Sequence, residues 1–206
     1  VINKPFIIKL LVVLLLVILY KNYCLANFSV SGKALSYKGK TIKAFYYDNY
    51  FTLNQVLLSQ SVINENGDFN LELSLSEERH VFLKIGNYKV DFYAEPNKAI
   101  TLEIGEPDST MPNLVNQDIP VEYTVKDSEL NALISKLGAD IDWFITQNYQ
   151  RFLLKNVKPV CDTFVAYLQK QYAVITNPFF QKVLKYRLGL LELAAYHSNQ
   201  YIINQY

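Results

Sequence analysis

From Phe28 to Ile104 apolar residues recur at every second position. Phe69, Leu71, Leu73 and Leu75 alternate with Asn70, Glu72 and Ser74; Tyr88, Val90 and Phe92 with Lys89 and Asp91; Ile100, Leu102 and Ile104 with Thr101 and Glu103. A period of two is that of a strand with one face buried and one wet. Between the runs stand Lys38-Gly39, Asn66-Gly67, Gly86-Asn87 and Pro96-Asn97, pairs that supply the positive or fixed φ required by tight turns. The pattern predicts seven strands, near 28–35, 41–47, 55–63, 68–75, 80–86, 88–93 and 99–104. Short connections and one wet face per strand predict an antiparallel β-sandwich of immunoglobulin-like size over 27–104.

Over 105–126 the alternation is broken by Pro107, Pro112 and Pro120, and only Val121, Tyr123 and Val125 offer a further short strand. This stretch is expected to be a linker ending in an edge element. Beyond it the period becomes helical. Leu130, Leu133, Ile134, Leu137, Ile141, Phe144, Ile145, Phe152 and Leu153 fall on one face, with Asp127 or Ser128 as N-cap and Gly138 as a point of bending or division. Pro159 opens a second helix with Cys161, Phe164, Val165, Leu168 and Tyr172 inward, and Asn177-Pro178 opens a third. That third helix is apolar on most sides, with Gln181, Lys182, Lys185, Arg187 and Glu192 left to face water. The fold class is therefore α+β: a sandwich followed by an all-helical region of three to four helices over 127–206, expected to be incomplete.

The amino-terminal segment reads differently. Lys4 and Lys9 precede an apolar run from Leu10 to Tyr20, about half the length that spans a bilayer, and Cys24-Leu25-Ala26 resembles a small-residue cleavage site. Residues 1–26 are expected to be a signal peptide, which places the protein in the periplasm or cell envelope. Lys21 is unusual there, so an uncleaved anchor is the alternative and the only expected membrane contact. Tyr23 and Lys21 argue against lipoprotein processing at Cys24.

Charge and composition narrow the classes. The whole chain carries a net charge of +1, and losing Lys4, Lys9 and Lys21 leaves 17 basic against 19 acidic side chains. Such a balance argues against an electrostatic nucleic-acid binder, while sixteen Tyr, twelve Phe, seven Gly and seven Pro argue against long disorder. Beyond residue 26 one thiol remains, Cys161, so no internal disulfide can form. It shares a face with Phe164 and Val165, where a thiol is inert. His80 and His197 lack a Cys or a second His at ligand spacing. No phosphate-binding Walker loop, Gly-x-Ser-x-Gly, His-Glu-x-x-His or Cys-x-x-Cys occurs. Asp140 and Asp142, two apart on a helix, read as a solvated face. No catalytic residue, metal or cofactor is expected.

Two binding features remain. The run Phe45-Tyr46-Tyr47-Asp48-Asn49-Tyr50-Phe51 offers Tyr46, Tyr47, Tyr50 and Phe51 as an aromatic face for a glycan or protein. On a strand, alternate members of that run must point inward. The third helix offers Phe179, Val183, Tyr186, Leu190 and Leu193 as a patch needing cover, with Tyr196 and Tyr201 at its rim. A further domain or a second copy of the chain would supply it. Asp108-Ser109-Thr110 matches an acceptor triplet for O-glycosylation at Ser109.

Several segments resemble one family. They are Phe28-Ser29-Val30-Ser31-Gly32-Lys33, Asn64-Glu65-Asn66-Gly67-Asp68-Phe69, Phe92-Tyr93-Ala94-Glu95-Pro96-Asn97 and Val125-Lys126-Asp127-Ser128-Glu129-Leu130-Asn131. Together they resemble the N-terminal part of Bacteroidota envelope proteins in which a β-rich domain of unknown function and a helical segment precede a thioredoxin-like domain. Many relatives have Pro-Gly where this chain has Pro96-Asn97. The resemblance implies a non-catalytic accessory and positioning module of a thiol-disulfide protein, without its redox domain and its Cys-x-x-Cys. The alternative is a stand-alone envelope binding domain that uses Tyr46, Tyr47 and Tyr50.

Overall fold

A computed structural model describes residues 26–49, 51–107 and 117–196. The chain has an α+β fold of two compact units that meet in sequence between Lys126 and Asp127. The segment expected to be a linker thus contributes its last ten residues to the β-rich unit. The expected signal segment before Ala26, together with Tyr50, Ser109, His197 and Tyr201, lies outside the described residues.

The first unit consists of two facing sheets. One has the order β4 (Asp68–Leu75), β1 (Ala26–Lys33), β7 (Ala99–Ile104), β9 (Tyr123–Lys126). The other runs β3 (Asn54–Val62), β2 (Thr41–Asn49), β5 (Arg79–Ile85), β6 (Tyr88–Ala94), β8 (Ile119–Pro120). The predicted strands are all present to within about two residues at each end. Two pairings correct the expected antiparallel arrangement: β1 runs parallel to β7, and β6 parallel to β8. Alternation constrains which face a strand buries but leaves its partner and direction open. The edge element expected around Val121, Tyr123 and Val125 is present as Tyr123–Lys126 in one sheet, and a further short strand, Ile119–Pro120, joins the other.

Alternation holds along β4, β6 and β7. Phe69, Leu71, Leu73 and Leu75 of β4 are buried between exposed or half-exposed residues, as are Val90 and Phe92 of β6 and Ile100, Leu102 and Ile104 of β7. Phe28 of one sheet stacks on Phe92 of the other with ring centroids 6.1 Å apart, so the inner faces form one core. Burying each such ring contributes about 1.5–3 kcal/mol. β3, at the edge of the five-stranded sheet, has no buried residue between Asn54 and Val62, whereas β4, at the edge of the other sheet, alternates throughout. Gly32 is fixed by packing, because a Cβ there would stand 2.0 Å from the Leu102 carbonyl oxygen across the β1–β7 pair.

The second unit contains α1 (Glu129–Gln147), α2 (Tyr149–Leu153), α3 (Lys158–Tyr172) and α4 (Pro178–Tyr196). Ser128 caps α1 by accepting the Asn131 amide at 3.2 Å, and Asn177 caps α4 by accepting the Phe180 amide at 2.8 Å. The chain divides at Asn148, whose side-chain amide donates to the Phe144 carbonyl at 2.9 Å, and not at Gly138, which stays within α1. Leu153 consequently leaves the inner face and is exposed. α4 packs against both α1 and α3, burying Phe180, Leu184, Leu188, Leu191 and Ala195 on one side.

Candidate functional site

The outward face of the five-stranded sheet gathers most of the unit's chemistry. Strand alternation sends Val81, Leu83 and Ile85 of β5 into the core, and His80, Phe82 and Lys84 to the other side. On β6, Val90 and Phe92 point in, while Lys89, Asp91 and Tyr93 point out. The registers His80↔Tyr93, Phe82↔Asp91 and Lys84↔Lys89 then set these residues side by side.

Asp91 is the hub. Its Oδ1 lies 3.0 Å from His80 Nε2 and 3.0 Å from Lys89 Nζ. Partial burial pushes its carboxyl up, but the hydrogen bonds and charges of His80 and Lys89 outweigh this and hold it below the usual carboxylate range. Burial lowers Lys89, and its bond to Asp91 more than restores it, so the ammonium is held above its ordinary value. The backbone carbonyl of Asp91 accepts the Tyr123 hydroxyl. Lys89 also stands 4.6 Å from the centre of the Phe82 ring. Phe82 is fully buried although it lies outside the main core, because Phe45 at 5.7 Å, Tyr47 at 4.7 Å and the lysine stems cover it.

His80, near the start of β5, thus shares a carboxylate with a lysine. The three form a surface cluster in which Lys89 and Asp91 are the ion pair. The hollow on this same face is lined instead by Lys40, Thr41, Lys43, Phe45, Lys84 and Gly86.

The aromatic run does not present one face. Phe45 and Tyr47 lie on the outer side over Phe82, whereas Tyr46 is engaged by Arg79, whose guanidinium carbon is 4.2 Å from the ring centre. Phe51 is 100% exposed at the tip of the β2–β3 connection. The significance of Lys89 and Asp91, and of Lys84, whose ammonium lies 2.7 Å from an Asp118 carboxylate oxygen, was invisible along the chain, because it comes from neighbours brought together by the fold. The one available signal was the placement of Lys84, Lys89 and Asp91 at the polar positions of otherwise apolar runs.

In the helical unit the residues of the patch lie along one stripe of α4. Tyr186 is 67% exposed, Leu190 47% and Leu193 36%, while Phe179 and Val183 are half-buried. Tyr196 is engaged by Asp162, which accepts its hydroxyl proton, and by Lys158 over its ring.

Cys161 is fully buried, and its thiol is pushed up to about 12 by burial first and then by the charge of Glu192. Glu192 corrects the expectation of a wet residue: it is 3% exposed, and its Oε2 has no hydrogen-bond partner. Asp140 is likewise more than a solvated charge, since it accepts the Tyr172 hydroxyl at 2.9 Å and ties α1 to α3. Asp142 is exposed.

Among the described residues no cluster of three or more His, Cys, Asp or Glu is placed to hold a metal ion, and no helix is long and apolar enough to cross a membrane. Fold and surface define a two-unit α+β protein with a charged, aromatic sheet face and an apolar helix stripe. No protein-family model and no curated protein matches the chain.

Proposed function

We propose that this chain is a non-catalytic accessory module of an exported cell-envelope protein, and that its helical unit docks a partner domain. The observation that carries the reading is the stripe on α4. Tyr186, Leu190 and Leu193 follow at the i, i+4, i+7 spacing that lines one side of a helix, and it is not the side buried against α1 and α3. A contiguous apolar stripe beside an already packed face is the mark of an interface. The segment resemblance supports a thioredoxin-like domain as the occupant, because that is the domain that follows such helices in the family.

The test compares this chain with a longer protein in which a thioredoxin-like domain is fused after Tyr206. In the longer protein the amides of α4 are expected to gain protection from hydrogen exchange, and Leu190→Glu to abolish that gain while the isolated chain remains folded. A dimeric isolated chain that Leu190→Glu converts to a monomer would instead assign the stripe to a second copy.

The second reading, a binding face on the sandwich, is favoured by Phe45 and Tyr47 standing half-exposed among lysines.

A further inference from the structure

Three lysines stand directly opposite one another across three neighbouring strands. The registers Lys43↔Lys84 and Lys84↔Lys89 bring β2, β5 and β6 together on their outward side. Like charges in such positions destabilise a sheet. Two of the three are neutralised, Lys89 by Asp91 at 3.0 Å and Lys84 by Asp118 at 2.7 Å. Lys43 is exposed and has no ion pair among the described residues. Beside it stands Lys40, its ammonium 5.4 Å from the centre of the Tyr37 ring. Lys40, Lys43 and Lys84 share with Thr41, Phe45 and Gly86 a hollow of about 490 Å³. The sequence concentrates charge at this end of β2: residues 33–47 contain Lys33, Lys38, Lys40 and Lys43 and no Asp or Glu, in a chain whose net charge is only +1.

We infer that this hollow binds a carboxylated saccharide, with a sugar ring against Phe45 and its carboxylates on Lys40 and Lys43. Phe45 is a flat apolar wall, held in place by stacking on Phe82 at an interplanar angle of 19°, and such a wall suits the C–H face of a pyranose. The cations are ammonium groups, point charges that suit separate carboxylates, and no arginine lines the hollow to supply the planar fork that favours phosphate. Three lysines are few for a nucleic acid, whose binding rests on neutralising many phosphates. An anionic bilayer would call for long apolar side chains projecting beside the lysines; the exposed neighbour there is Val62, a short side chain paired with Thr41, and the fully exposed Phe51 follows the opposite end of β2. The inference stands on the sandwich alone and is independent of the stripe on α4.

Calorimetric titration of the full chain with an oligogalacturonate, and with its methyl ester, tests it. The acid is expected to bind, less tightly as salt rises, and the ester, which keeps the rings and loses the charges, to bind at least roughly tenfold more weakly. Lys43→Gln should weaken the acid by roughly tenfold, consistent with one charge-assisted hydrogen bond, with no fall in melting temperature, because Lys43 is exposed and stands opposite another lysine. Lys33→Gln, outside the hollow and paired with Asp68, should leave affinity unaltered. No binding of the acid, equal binding of acid and ester, or indifference to Lys43→Gln would overturn the assignment. So would tighter binding of duplex DNA or phosphatidylglycerol vesicles that Lys43→Gln removes.

Discussion

Asp91 has two partners on one oxygen, the Lys89 ammonium and the His80 imidazole, and its pH behaviour follows from that geometry. Its folded carboxyl titrates below the unfolded one, so the stability it contributes is present above the unfolded pKa, near pH 4, and is lost as pH falls through the lower folded value. Lys89 has the opposite sign: held above its ordinary value, it contributes below the unfolded pKa and loses that contribution as pH rises through the folded one. The side chain of Asp91 is 41% exposed, so solvent screens the pair, and Asp91→Asn should cost about 1 kcal/mol at neutral pH. Denaturant titrations at several pH values should show the variant with a shallower acid limb than the parent. An identical acid limb would mean that other carboxylates dominate it.

Gly32 shows how an element depends on the absence of a side chain. β1 is interior in its sheet, with β4 on one side and β7 on the other, and the backbone of β7 approaches too closely for any Cβ. Gly32→Ala is therefore expected to cost about 3 kcal/mol or more, at the upper end of the overpacking range, read as a lowered denaturant midpoint. Two turn glycines, Gly39 and Gly86, are less demanding: nothing lies within 4 Å of a Cβ there, and only the positive φ favours glycine. The legibility of the elements divides along the same line. Strand positions could be read at 68–75 or 99–104 because burial on one face enforces alternation there. Pairing direction could not, because β1 would show the same alternation beside a parallel or an antiparallel neighbour. The helix break was misplaced for a related reason. Gly138 carries the lower helix propensity, but it sits inside a packed helix, whereas Asn148 ends α1 by bonding its own side chain back to the preceding turn. Of the sheet's outer face, the aromatic run was visible, but the lysine row was not, since Lys43, Lys84 and Lys89 are brought together only by register.

At the scale of the molecule, the position of β1 sets an order in time. The first strand of the sandwich needs β7 as well as β4, so its sheet cannot close before Ala99–Ile104 exists. Sheets built from such distant pairings fold in milliseconds to seconds, and small helical units faster; stopped-flow refolding should therefore show the sandwich as the slower of the two units. During synthesis the interval is longer. At roughly 5–20 residues per second, Phe28 and Val30 leave the ribosome on the order of 4 to 14 s before β7. A nascent chain stalled after Lys98 already contains six strands, yet it is expected to remain open to protease, and to gain resistance only when the stall is moved beyond Ile104 and the exit tunnel.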